Sequence, residues 1–210
     1  MLTGERRLAG GLKRLVLVAL ATLTLGRGAA AAADVRRGGM ADGAAVIVVA
    51  GAPSDDDVRL FRALSGPIGH AVVRLSGEGG STMAGIALGQ AIRDHGYATE
   101  APAGARCVGA CGLAWLAGQP RTLGPGSTVG LSTPAGDEGV AARALVGAYL
   151  VQIGMPDASQ AWRDDAGQAD WAALTPEMAR GLGIEIAAAK AAPAPPPDRR
   201  GGPADRRDSP

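Results

Sequence analysis

The stretch "AAVIVVA", Ala44–Ala50, constrains this chain more than any other. Four of its seven residues are valine or isoleucine, and no polar residue interrupts it. A strand with one wet face alternates apolar and polar side chains, whereas a continuous β-branched run needs cover on both faces. Gly51 and Pro53 then break the run. Ser54 with Asp57 three residues on forms a capping box that has Asp in place of Glu. Val58, Phe61 and Leu64 follow at helical spacing. The acidic triplet Asp55-Asp56-Asp57 sits where a helix start favours negative charge, and with no second ligand cluster it is read as a cap rather than a metal site.

The same strand-then-helix alternation recurs. His70–Ser76 reads as a strand, "GEGGST" as a turn, and Ser81–His95 as a helix with Met83, Ile86, Ala87 and Ala91 on one face, ended by Gly96. "YATEAP" is expected to be a short strand. "ARCVGACGLAWLAG", Ala105–Gly118, is a strand-to-helix turn of small residues leading into a short apolar helix. A strand near Ser127–Leu131 and helices over about Asp137–Ile153 and Pro156–Gly167 come next. Thr175 as N-cap, Pro176 in the first turn and Gly183 after the last turn bound a final helix, with a last strand behind it. This order predicts an α/β fold with a mainly parallel sheet. With 33 glycines and only six aromatic residues, its core must come from close backbones and small side chains.

The two ends differ from this middle. Arg6, Arg7, Lys13 and Arg14 precede the apolar run Leu15–Leu25, and Ala31-Ala32-Ala33 supplies small residues. That tripartite order predicts a signal peptide, residues 1–33, cut after Ala33, and hence a periplasmic or secreted protein. An uncleaved N-terminal membrane anchor is the alternative. Arg6-Arg7 is followed by a poor match to a twin-arginine signal. Residues 34–43 are expected to be a linker, 44–187 the folded domain, and 188–210 a disordered tail of Pro, Gly, Arg and Asp. Arg199, Arg200, Arg206 and Arg207 of the tail could touch an anionic envelope surface, diluted by nearby aspartates. Lys and Arg (21) balance Asp and Glu (20), so no basic face for nucleic acid is expected, and the aromatic residues are too few for base stacking.

Three segments carry a resemblance. "LSGEGGSTMAGIALGQAIRDHG" resembles the Gly-Gly turn and following helix of the ClpP/crotonase-like superfamily, which has the form N-S-P-G-G-S-x-x-A-G. "CVGACGLAWLAGQPRTLGPGSTVGLSTP" is similar to that superfamily's nucleophile helix and its continuation to the histidine strand. Exported relatives read Cys-x-Ser-x-Cys in the first place and Gly-Phe-His-x-Pro in the second. "LTPEMARGLGI" is similar to the terminal helix. Together these segments imply a spiral of βαβ units spanning about residues 44–186.

The resemblance also implies where catalytic groups would stand. The superfamily's serine lies nine residues before the glycine that ends its helix, which here gives Gly109. Its histidine lies two residues before a proline, which gives Ser132 before Pro134. Both catalytic positions are therefore substituted, so no catalytic set is intact. A third member would be Asp170, with Asp164 or Asp165 as alternatives. The oxyanion-type backbone would come from Gly79, Gly80 and Ala110. Packing of helix against strand is the other reading of these glycines.

No other residue replaces the missing base. His70 opens its strand, whereas sites in parallel sheets gather at strand carboxyl ends. His95 ends a helix that starts at the Gly-Gly turn, about 20 Å away at about 1.5 Å per residue. Lys190, the only lysine outside the leader, precedes the tail. Ser81 and Ser132 without a base are inert. Cys107 and Cys111, the only cysteines, are read either as a disulfide across the helix start or as two buried thiols. A catalytic thiol would need a base as well.

These observations leave three functions open. The first is an inactive binding or structural module. The second is a periplasmic serine-type hydrolase or peptidase with a displaced site. The third is a crotonase-type acyl-thioester enzyme that uses the oxyanion hole with Glu78 as its candidate acid or base. No cofactor and no metal is expected, and the ligand is unknown. Superfamily members commonly build rings or trimers through helices after the histidine strand. Self-association is therefore expected through Asp137–Ile153, where Leu145, Val146, Tyr149 and Leu150 form a wide apolar surface that is alternatively core.

Overall fold

The computed structural model describes residues 33–132, 136–164 and 173–187. Two sheets carry the fold. The larger has the order β1 (Asp34–Ala41), β2 (Ala44–Ala50), β3 (Ala71–Ser76), β4 (Ala98–Ala101) and β6 (Arg121–Leu123). The smaller pairs β5 (Arg106–Val108) with β7 (Thr128–Gly130). All pairings are parallel except β1 with β2. A single bridge, Gly77 to Cys107, continues β3 towards the smaller sheet. The helices are α1 (Asp55–Ser65), α2 (Thr82–Asp94), α3 (Ala110–Leu116), α4 (Gly136–Gln152), α5 (Pro156–Asp164) and α6 (Pro176–Gly181).

The continuous apolar run is β2, paired on one side with β1 and on the other with β3. Its Ile47 and Val49, with Val73 and Leu75 of β3, lie in one core with Phe61, Leu88, Ile92, Leu113, Trp115 and Leu150. Burying each of these large side chains stabilises the fold by about 1.5–3 kcal/mol before entropy is counted. Trp115 and Tyr97 are fully buried and spend their polar atoms on backbone: the Trp115 indole donates to Thr122 O, and the Tyr97 hydroxyl to Ser65 O and Ile68 O. α2 packs directly against α3. A Cβ at Gly85 would lie 2.6 Å from the Ala110 Cα, so glycine is what lets these helices touch.

Residues 34–43, expected to be a linker, instead form a hairpin with β2. Asp42 (φ 49°) and Gly43 (φ 84°) make its turn, and Asp-Gly is a standard two-residue hairpin pair. Val35 packs into the core while Asp34, Arg36 and Arg37 face out. Without β1, an edge of β2 would be unpaired.

Other differences are local. Met83, placed by periodicity on the buried face of α2, is exposed, whereas Ile86 and Ala91 of that face are buried as expected, together with Ala84, Leu88 and Ile92. The three-residue β6 between Pro120 and Gly124 was too short to read. The expected last strand is reduced to one bridge, Thr122 to Ala187. In α4, Val146, Tyr149 and Leu150 belong to the core, and Leu145 is exposed. The capping box at Ser54 and Asp57 forms as read. The Thr175 hydroxyl accepts from the Met178 amide, capping α6. The leader up to residue 32, the tail from 188, Pro134, Asp165, Asp170 and Lys190 lie outside the described residues.

Candidate functional site

Three stretches meet beyond the carboxyl ends of the parallel strands, where open α/β sheets place their sites. The first is the glycine turn that leaves β3. Gly77 donates to Arg106 O at 2.7 Å and accepts from the Val108 amide at 3.0 Å, which laces this turn to β5. Gly79 and Gly80 both hold positive φ, 78° and 87°, a conformation glycine adopts without strain. Ser81 then caps α2, its hydroxyl accepting from the Ala84 amide at 3.3 Å.

The second stretch is β5–Gly109–α3. Gly109 turns the chain with φ 72° and ψ −124°, and it is buried. Its amide donates to Gly130 O at 3.1 Å. A disulfide joins Cys107 in β5 to Cys111 in α3, so it spans strand, turn and helix rather than lying along one helix. Both cysteines are buried. The third stretch follows β7 and ends at Ser132, half-buried. A Cβ built on Gly109 would lie 3.1 Å from the Ser132 Oγ and 3.3 Å from the Gly79 carbonyl oxygen. The turn, the Gly-Gly segment and Ser132 are thus mutual neighbours.

The backbone amides here are not all open to a ligand. The Ala110 amide, expected to receive an oxyanion, donates to Gly79 O at 3.1 Å. The Gly79 carbonyl occupies the direction from which a ligand oxygen would have to approach this amide. The amides of Gly79 and Gly80 have no acceptor among the described residues. Positive φ at the two adjacent glycines rotates their peptide units, which is what turns the Gly79 carbonyl towards α3.

The remaining candidates lie elsewhere or are occupied. Glu78 is exposed and paired with Arg106; that hydrogen bond holds its carboxyl below the usual carboxylate range. It is ionised at neutral pH and so is no proton donor. Arg106, 28 residues from Glu78, gave no signal in the sequence, because only β5 packing beside the glycine turn brings the two together. His70 lies just before β3, where its carbonyl accepts from the Ala45 amide, at the opposite end of the strand. His95 caps the far end of α2, with Nε2 3.3 Å from the Ser65 Oγ and its ring stacked on Tyr97. Asp164 ends α5. Among the described residues, no group of three or more His, Cys, Asp or Glu is placed to hold a metal.

No sequence-family model and no curated protein matches the chain. Solved structures do. A membrane protease specific for a stomatin homolog, from Pyrococcus horikoshii, aligns with TM-score 0.51 and 18% identity over 69% of this chain and 72% of its own. A mutant of a membrane-bound stomatin-specific protease, solved in complex with a substrate peptide, aligns with TM-score 0.53 and 19% identity, covering 69% and 74%. A mutant of ClpP1 from Listeria monocytogenes aligns with TM-score 0.52 and 16% identity, covering 69% and 92%. The fold is ClpP-like. At these identities the likeness concerns the path of the backbone. In this ClpP-like chain, the turn between β5 and α3 carries glycine rather than a side chain, with Ser132 across from it.

Proposed function

We propose that this chain is an exported ClpP-like protein without hydrolytic activity, acting as a binding or structural module. One observation carries the reading: the position facing Ser132 is Gly109. Acyl transfer by a serine needs a hydroxyl, a base within about 2.6–3.2 Å of it, and donors for the oxyanion. The hydroxyl is missing at the turn. The two histidines sit at the opposite end of β3 and the far end of α2. The Ala110 amide is already engaged. Export is supported by the basic, apolar and small-residue order of the first 33 residues and fits the Cys107–Cys111 disulfide, since such bonds persist in oxidising compartments.

Neither enzymatic alternative is favoured. A displaced serine site would need a base beside Ser81 or Ser132. A crotonase-type site would use Glu78 as its acid or base, but that carboxylate is engaged by the Arg106 guanidinium.

A fluorophosphonate probe tests the reading. The purified exported protein is expected to stay unlabelled while a serine hydrolase in the same tube reacts. Stoichiometric labelling that disappears in Ser81→Ala or Ser132→Ala would establish a hydrolase.

A further inference from the structure

Away from the glycine turn, the segment after α6 folds back on the start of β6, and the Ala187 amide donates to Arg121 O at 2.8 Å. Between them lies an open cavity of about 820 Å³. Small-molecule sites usually fall at about 300–1000 Å³. Its walls are largely apolar: Pro120, Ala179, Ile184, Ile186 and Ala187 line it, and Ala179 and Ile184 are buried. One wall residue is of another kind. Arg121 lines the same cavity and is only 7% exposed.

The Arg121 Nε donates to Leu116 O at 2.7 Å and its Nη1 to Glu185 O at 3.1 Å. Two neutral carbonyls thus fix the plane of the guanidinium. Its Nη2 meets no acceptor, and no carboxylate pairs with it, among the described residues. Leu116 ends α3, so capping that helix accounts for Nε. It does not account for burying a whole charge against neutral partners, which is costly. Burial, and then the nearby Arg93, hold the Arg121 guanidinium below its ordinary value; Glu185 and Tyr149 offset part of this. Arg93 Nη1 is itself buried without an acceptor. The other charges at the cavity are the exposed Glu185 and Arg180, whose guanidinium pairs at the surface with Glu177.

We propose that this cavity binds a small carboxylate with an apolar body, the carboxylate on the open edge of the Arg121 guanidinium and the body against Ala179, Ile184 and Ile186. A guanidinium held in one plane presents its remaining N–H groups in the geometry that a carboxylate accepts. The apolar walls gain by excluding water from the rest of the ligand. The two halves of the site therefore select against two kinds of molecule: neutral apolar ones, which leave the charge unpaired, and bare anions, which leave the walls wet. The cavity shares no residue with the turn at Gly79, Gly109 and Ser132. The proposal therefore stands whether or not that turn is catalytic.

Octanoate is the probe, titrated into the ¹⁵N-labelled wild-type protein at neutral pH. The amides of Ile184, Ile186 and Ala187 are expected to shift and saturate together, while those of Gly79, Gly109 and Ala148 stay in place. Octanamide, which has the same body without the charge, should bind about tenfold weaker or less well still, because a hydrogen bond to a charged group is lost. Inorganic phosphate, which has charge without the body, should be weaker by a similar factor. Shifts that gather elsewhere, or no saturable shift, overturn the site. Equal affinity for octanoate and octanamide overturns the role of the charge, and equal affinity for octanoate and phosphate overturns the role of the walls. Arg121→Gln should lose octanoate affinity by about tenfold. Unchanged affinity in that variant overturns the assignment to Arg121, and the wild-type titrations decide the proposal even where the variant does not fold.

Discussion

Gly109 and Ser132 face each other across the turn between β5 and α3: a side chain at Gly109 would begin 3.1 Å from the Ser132 hydroxyl. They are 23 residues apart in the chain, and the pairing of β5 with β7 brings them together. A side chain introduced at Gly109 would therefore stand directly against Ser132. Gly109→Ser is therefore expected to leave p-nitrophenyl ester hydrolysis at the buffer rate. Its φ of 72° is unfavourable for any residue with a Cβ, so the variant should also lose about 1–3 kcal/mol of stability. Catalytic groups act as a unit, so only the double variant Gly109→Ser with Ser132→His is expected to exceed background. Wild-type turnover abolished by Ser132→Ala would show that chemistry persists at this site.

The disulfide should matter more to stability than to shape. It closes a loop of four sequence positions across the turn. Chain-entropy reasoning for so short a loop gives about 2 kcal/mol. The double variant Cys107→Ala, Cys111→Ala is expected to unfold at lower urea by that amount with an unchanged far-ultraviolet spectrum. Native protein should resist reductant until partly unfolded, because both sulfurs are buried. Free thiols titrated in the native protein, purified without reductant, would contradict the bond.

How much of this was legible in the sequence depended on the range of the interaction. Ser54 and Asp57 are three residues apart, so their capping box could be read directly. The continuous apolar run could only be an interior strand, and β2 is one. The hairpin of β1 was missed although Asp42-Gly43 announces it, because Gly38 and Gly39 interrupt the strand pattern with a bulge between Arg37 and Met40. At the site, counting along the motifs brought Gly109 and Ser132 into register. It could not reveal that the Gly79 carbonyl takes the Ala110 amide or that Arg106 takes Glu78. Those contacts follow from peptide orientation and from packing of distant strands.

Tyr149 ties α4 to α3 through a buried hydroxyl that donates to Leu113 O at 2.9 Å. Burial pushes its phenol far above the ordinary value, and the nearby Arg93 and Arg121 offset only part of that. Tyr149→Phe leaves the Leu113 carbonyl without this donor and should cost about 1–3 kcal/mol at neutral pH. The pH dependence follows from the raised value. The stability is fully present below the unfolded phenol's pKa of about 10 and is lost as pH rises above it. The stability gap between wild type and Tyr149→Phe should therefore narrow above about pH 10. A gap constant from pH 8 to 11 would count against the buried phenol.

The outer face of α4 sets the last prediction. Val140, Ala141, Ala144, Leu145, Ala148 and Val151 are all exposed, at spacings that fall on one side of a helix. Val140 is 70% exposed, Val151 50% and Leu145 45%. The opposite side of the same helix supplies Val146, Tyr149 and Leu150 to the core, so both sides are apolar. A helix apolar all round is normally covered all round, and the small Ala144 and Ala148 would let a second backbone approach closely. Self-association of the protein through this face is the expected outcome. Light scattering at tens of micromolar should give a mass above that of one chain, and Leu145→Glu should return it to one chain. Because Leu145 is exposed, that variant should keep the wild-type urea midpoint when both are measured at high dilution. A wild type that is monomeric throughout this range would remove the idea, as would a Leu145→Glu variant that associates as strongly as the wild type.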